Sequence, residues 1–424
     1  MSKTMSRLRL DNAANIYPAS LAKHYSSLFR LRLTFTEKID KAVLSQALGN
    51  ISNRFPTLRC RLKAGGFWWY LVPVDSALEI YGSAPLKVFD FRDYGEHIYR
   101  VIADGNCLIL DVFHALTDGS GGKTIILTLA AEYCRLRYGA DIPCGGDILD
   151  PAQPCPEYEI KDSFITVFGG RKGKLEKDVK AYHIEGQDVG HDGLQDTRMV
   201  IDLESLRLVC REYGCTITEF LTACLLDSLQ YVHSLDRNPL KRNIVKVSVP
   251  VDLRPVYGCR ALRNFSTYIN LGIDLSHKRY SLRGIIREVA LRKKEGLLPQ
   301  NMETKIAANV ELEQNFVVGC IPLFIKKIII DTICRNHGDK FISYTLSNLC
   351  KIELPEQMSC YISDIDFYLG RQRGTSGAAS CVSYGGRLYL HLTRKIRSAR
   401  LEERMEQLMK MHGIPCETSE SILA

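Results

Sequence analysis

The apolar patterning of this chain is periodic over two long stretches and breaks once between them. From Ala140 to about Thr197, Pro143, Gly145, Gly146, Pro151, Pro154 and Pro156 give way to Lys172, Lys174, Lys177 and Lys180. A segment of that length, with Pro, Gly and charge in place of periodicity, reads as a crossover linker, part of it mobile. The expected organisation is an N-terminal lobe over 1–140, a linker over 141–197 and a C-terminal lobe over 198–424. A 424-residue chain has room for two cores at roughly 100 to 200 residues per domain.

Both stretches mix strand and helix signals. Phe29, Leu31, Leu33 and Phe35 alternate with Arg30, Arg32 and Thr34, which predicts a strand with one wet face. Ile39, Val43, Leu44, Ala47, Leu48 and Ile51 fall at helical spacing. Strand-like segments follow at Leu58–Leu62, Phe67–Val72 and Ile98–Ala103. Asp104-Gly105-Asn106 then reads as a hairpin turn into Cys107–Phe113. In the second stretch Met199, Ile201 and Leu203 alternate, and Thr216-x-x-Glu219 fits a capping box opening a helix through Val232. Strands at Ile244–Val251, Tyr268–Asp274, Phe341–Leu346 and Tyr361–Tyr368, helices around Leu282–Leu291 and Lys305–Leu312, a hairpin at Tyr384-Gly385-Gly386 and a last helix capped by Ser398 complete the pattern. The expected class is α/β (α+β).

Composition excludes several roles. Lys and Arg number 56 against 48 Asp and Glu, a net charge of +8 spread widely. Such an excess suits a phosphorylated ligand or is simply solvated surface. The Lys-rich stretch at 172–180 lacks the interleaved aromatics of a single-strand nucleic-acid binder. The 15 Cys show no C-x-x-C pair and sit mostly in apolar runs (Cys107, Cys224, Cys320, Cys381). They read as small buried hydrophobes of a reducing compartment. The nine His other than His114 form no H-x-x-x-H pattern, so no metal is expected. Met1–Leu10 carries Lys3, Arg7 and Arg9 without an apolar stretch of signal-peptide length, and the longest apolar run, Phe316–Ile325, contains Pro322 and meets Lys326-Lys327. A cytoplasmic protein with no membrane span is therefore expected.

The stretch that carries chemistry is Asp111 to Gly122, a strand running through a Gly-rich turn into a helix. His114, with a reference pKa near 6.5, suits proton transfer at such a junction. His114-x-x-x-Asp118-Gly119 lets the carboxylate turn away from the imidazole and pair with a cation, while Gly119 permits close backbone approach. By itself the pattern fits a satisfied turn histidine as well as a general base. Ser120-Gly121-Gly122-Lys123 matches S-x-x-K by chance, without its companion motifs. Asn50-Ile51-Ser52 and Asn264-Phe265-Ser266 match a glycosylation pattern with no meaning in a cytoplasmic chain.

Four stretches, Arg54–Arg59, His114–Gly119, Ser248–Arg254 and Tyr344–Leu349, lie in an order and at distances covering nearly the whole chain. Together they resemble the CoA-dependent acyltransferase superfamily with the chloramphenicol acetyltransferase-like fold, which includes BAHD acyltransferases, condensation domains and alcohol acetyltransferase-like proteins. The resemblance implies two similar lobes with an active-site tunnel between them. It implies His114 as catalytic base, Asp118 in a structural ion pair, for which Arg254 is the candidate partner, and Ser347 or Asn348 as oxyanion or substrate donors. It implies acyl-CoA as co-substrate, no permanently bound cofactor, and an alcohol or amine acceptor. Phe113 stands where condensation domains usually carry a first His, and Asp366-Phe367-Tyr368-Leu369-Gly370 approximates a BAHD pattern without its middle Gly and Trp. The latter residues read as structural. The alternatives are a condensation-type protein using a carrier-bound donor and a non-catalytic binding module of the same fold.

Overall fold

The computed structural model of the protein describes residues 7–21, 25, 27–86, 97–174, 178–190 and 193–423. Among these, the strands are β1 (Leu8–Arg9), β2 (Leu28–Phe35), β3 (Cys60–Ala64), β4 (Trp69–Pro73), β5 (Ile80–Tyr81), β6 (Tyr99–Asp104), β7 (Cys107–Phe113), β8 (Gln195–Asp202), β9 (Ile244–Asp252), β10 (Ser266–Asp274), β11 (Tyr344–Lys351), β12 (Ile362–Leu369), β13 (Gly377–Tyr384), β14 (Arg387–Arg394) and β15 (Cys416–Ile422). They form a five-stranded sheet in the order β12-β2-β7-β6-β5, a seven-stranded sheet in the order β10-β9-β11-β13-β14-β8-β15, and a small sheet β1-β4-β3. Helices pack on both larger sheets, and each sheet has its own apolar core. The fold is mixed α/β in two lobes.

One strand crosses over. β12, within the span expected to form the second lobe, pairs antiparallel with β2 in the first lobe's sheet, with Phe367 opposite Leu31 and Asp366 opposite Arg32. Ser380 of β13 donates to the Phe367 carbonyl at 2.6 Å, so the exchanged strand also touches the second sheet. The linker is likewise more than a tether. Its short helix Ser163–Phe168 buries Phe164 and Phe168 in a third apolar cluster with Leu253 and Phe265. Lys177 lies outside the described residues.

The supposedly wet face of β2 is covered. Arg30 is buried and donates to Asp111 from Nε at 2.6 Å and Nη2 at 2.8 Å, with Arg100 reaching the same carboxylate at 2.8 Å. Alternation on a strand reports which residues share a face, and a polar face buried against protein reads the same as one in water. Other local readings shift by a few residues. Pro56–Arg59 is a 3-10 turn before β3, and the last helix, Arg400–Met411, is capped at Ala399 with no side-chain bond from Ser398. Thr216 and Glu219 do form the reciprocal capping box. Cys224 and Cys381 are buried, whereas Cys320 is exposed. No described helix is long and apolar enough to cross a membrane.

Candidate functional site

β7 is a central strand of its sheet and ends at Phe113, fully buried, so its register fixes the next residue. The His114 amide still donates along the ladder, to the Ser27 carbonyl at 2.8 Å. The chain then turns, with Leu116 N–H bonded to the Phe113 carbonyl at 2.9 Å, and Asp118 caps the helix Gly119–Tyr138. His114 thus stands at a rigid strand end rather than on a free loop, half-buried. The ring of Tyr17, on the helix Ile16–Ser20, stacks on its imidazole with centroids 4.4 Å apart, and Phe29 of β2 meets it edge-on at 5.3 Å.

Asn264, in the segment leading into β10, approaches from the other lobe and decides the tautomer. Its amide nitrogen donates to the His114 carbonyl at 3.1 Å and to Asp11 Oδ2 at 3.2 Å. Both are acceptors, so the NH2 group must face them and the amide oxygen must face His114 Nδ1, 2.9 Å away. Nδ1 therefore carries the proton and Nε2 presents a lone pair. Burial pushes the imidazole below its ordinary value, against the Asp118 charge and the Asn264 bond that favour protonation. A neutral ring at neutral pH follows. Asp11 in turn accepts from Ala14 N–H at 2.7 Å and lies 3.4 Å from Arg263 Nη2; burial pushes its carboxyl up to about 6, against the Arg263 charge.

The structure brings Asp118 and Arg254 together. Arg254 Nη2 lies 2.8 Å from Asp118 Oδ1, and the carboxylate also accepts Gly121 N–H at 3.1 Å and Phe265 N–H at 2.9 Å. Burial would raise this carboxyl, but the guanidinium and the two backbone donors outweigh it and hold it below the usual range. Arg254 further binds the Ala261 and Arg263 carbonyls at 2.7 and 2.6 Å and Asp252 at 3.0 Å. One ion pair thereby ties the His114 turn to the segment that delivers Asn264. Within this turn close approach is strictest at Gly121, where a Cβ would lie 2.0 Å from Thr117 Oγ1 and 2.5 Å from the Leu262 carbonyl oxygen. At Gly119 a Cβ would meet the Leu349 side chain at 2.7 Å.

That Leu349 contact brings β11 against the turn. Ser347, two residues earlier, is half-buried, and its hydroxyl makes no hydrogen bond among the described residues. Asn348 uses its amide locally, donating to Thr218 Oγ1 at 3.0 Å and accepting Cys350 N–H at 2.7 Å. Asn264, Asp11 and Tyr17 were not singled out for chemistry in the sequence. Asn264 is visible there only as the first residue of a glycosylation triplet. No group of three or more metal-ligating side chains comes together among the described residues.

No family model matches the chain, and no curated protein matches it. Solved structures do. F. graminearum TRI101 complexed with coenzyme A and deoxynivalenol is 11% identical, with 99% of this chain and 100% of that chain covered and a TM-score of 0.66. Polyketide synthase associated protein 5 from Mycobacterium tuberculosis is 16% identical over 95% and 96% of the two chains, TM-score 0.63. The condensation domain from the monacolin K polyketide synthase MokA is 11% identical over 96% and 97%, TM-score 0.61. The fold is thus the two-lobed chloramphenicol acetyltransferase-like architecture, shared over nearly the full length of these three structures.

Proposed function

We propose that the protein is an acyltransferase that moves an acyl group from an acyl-CoA to the hydroxyl of a small molecule, with His114 as general base. The observation that carries the reading is the His114–Asn264 pair, which fixes the proton on Nδ1 and leaves Nε2 with no hydrogen bond among the described residues. The likeness to TRI101, whose structure holds coenzyme A, supports the thioester donor. Nε2 takes the proton of the acceptor hydroxyl as its oxygen attacks the thioester carbonyl. The tetrahedral oxyanion collapses, the C–S bond breaks, and the imidazolium returns its proton to the departing thiolate. Ester and free CoA leave, and the enzyme needs neither a covalent intermediate nor a metal for these steps. Ser347 supports the role of oxyanion donor better than Asn348, whose amide is already engaged. Asp118 and Arg254 hold the geometry without touching substrate.

The test is release of free thiol from acyl-CoAs in the presence of pooled small alcohols and amines. His114→Ala should lower turnover by roughly a hundredfold to ten-thousandfold, the usual worth of a general base, with the thermal melt little changed. Undiminished thiol release in that variant would remove His114 from the chemistry.

A further inference from the structure

The helix Leu323–Ile333 is turned inside out. Its inner face buries Leu323 and also Lys326, which is 3% exposed, with its ammonium 3.3 Å from the Trp68 ring centroid and donating to the Phe67 carbonyl at 2.9 Å. Outward point Phe324, 69% exposed, Ile328, 66% exposed, and Ile325, Ile329 and Ile333. The preceding short helix Phe316–Cys320 adds Phe316 at 83%. An ordinary surface helix places its lysines outside and its isoleucines inside. Here burial pushes the Lys326 ammonium below its usual range while a contiguous apolar face is left uncovered.

The charges around that face say what covers it. From Asn315 to Ile330 the only charged side chains are Lys326 and Lys327, and Lys327 is exposed. Asp331, at the helix's far end, is taken by Arg373 at 2.5 Å and by exposed Arg335 at 2.9 Å. A two-fold contact with a second copy would set like charges against each other. An anionic lipid surface instead accepts the Phe and Ile side chains among its acyl chains and Lys327 and Arg335 among its phosphates. The 11-residue helix is far too short to span and would lie along the interface. It packs against the helix Ile16–Ser20, whose Tyr17 stacks on His114.

We propose that the segment Phe316–Ile333 is a membrane-docking surface that seats the protein peripherally on an anionic bilayer, with His114 one helix away from the lipid. Docking is read by binding alone and stands or falls independently of the acyltransferase reading. The full chain is co-sedimented with phosphatidylcholine vesicles with and without phosphatidylserine. Wild type should pellet with the phosphatidylserine vesicles, less so at high salt. F324E/I328E should lower partitioning by about tenfold or more, and Lys327→Ala by about fivefold on anionic vesicles only. Leu240→Glu, at a site 88% exposed elsewhere, should bind as wild type. A second pair on the short helix, F316S/V317S, repeats the test should the first fail to fold. Absence of wild-type binding, binding retained in folded variants of both pairs, or a wild-type dimer that the same substitutions dissociate without any vesicle binding would each overturn the proposal.

Discussion

His114 and His391 both pair across the two sheets, and their partners make them different chemical species. His114 follows β7 and, among the described residues, is hydrogen-bonded through its ring at one nitrogen only, to the neutral amide of Asn264. His391, on β14, is fully buried and meets two carboxylates, Asp196 at Nδ1 and Asp366 of the exchanged strand β12 at Nε2, each at 2.9 Å. Two acceptors require two N–H donors, so His391 is an imidazolium with no lone pair to offer. Burial alone would lower its pKa, but the two carboxylates outweigh that and push it up to about 9. Asp366 also accepts Arg32 and Arg198, at 2.7 Å each, and is held well below the carboxylate range despite its burial. A His with one nitrogen held by a neutral amide keeps a lone pair on the other. The same residue with both nitrogens occupied becomes a clamp between lobes.

Removing the clamp should produce the largest effect on stability. His391→Ala leaves Asp196 buried without its cation, while Asp366 keeps Arg32 and Arg198, a loss of about 3 to 5 kcal/mol, measurable by urea unfolding. The pH dependence has a definite sign. Because the folded pKa lies above the unfolded value near 6.5, the His391 contribution is fully present below about 6.5 and is lost as pH rises toward about 9. Wild type should therefore lose stability over that window and His391→Ala should not. Parallel curves would mean that His391 is neutral in the fold.

The ion pair beside His114 should matter less to stability than the clamp. Arg254→Met strands the Asp118 carboxylate, yet that group keeps the Phe265 and Gly121 N–H donors. A loss of about 2 to 3 kcal/mol is expected, and Asp118→Asn in the same background should recover part of it by removing the unpaired charge. Thermal melts of the single and double variants check this. If the double variant is no more stable than Arg254→Met, the charge is not what the arginine balances.

What could be read in the chain follows from the range of the interactions. The strand–turn–helix at Cys107–Tyr138 is specified by neighbouring residues, an apolar run, a capping carboxylate and a Gly stop, and all are visible in order. The place of β12 is not, because its own alternation fits either sheet and only the pairing with β2 selects one. The covered face of β2 was hidden for the same reason, since Arg30 becomes a buried residue only through Asp111. Asn264 is 150 residues from His114, and nothing local marks an asparagine as the partner of a distant imidazole. Asp366-Phe367-Tyr368 reads as structural from its sequence, and the network around His391 supplies a physical reason.

The smallest expected effect is the most direct test of the comparison, because it asks whether His114 can be made to resemble His391. Asn264→Asp places a carboxylate at Nδ1 in the geometry that Asp196 holds at His391. An anion there stabilises the imidazolium, so the pKa of His114, now below its ordinary value, should rise by about one unit. Under the proposed function the base must be neutral to work, so the acid limb of kcat/KM should move to higher pH by the same amount, read from thiol release across a pH series. Asp11 lies 3.2 Å from the Asn264 amide nitrogen, so the new carboxylate faces a like charge and part of the shift is spent on that repulsion. Asp11→Asn in the same background removes it and should enlarge the shift. Asn264→Ala should lower kcat without moving the limb upward, as expected of a positioning residue that sets the tautomer. An acid limb identical in wild type and Asn264→Asp would mean that the amide at Nδ1 does not distinguish the two histidines.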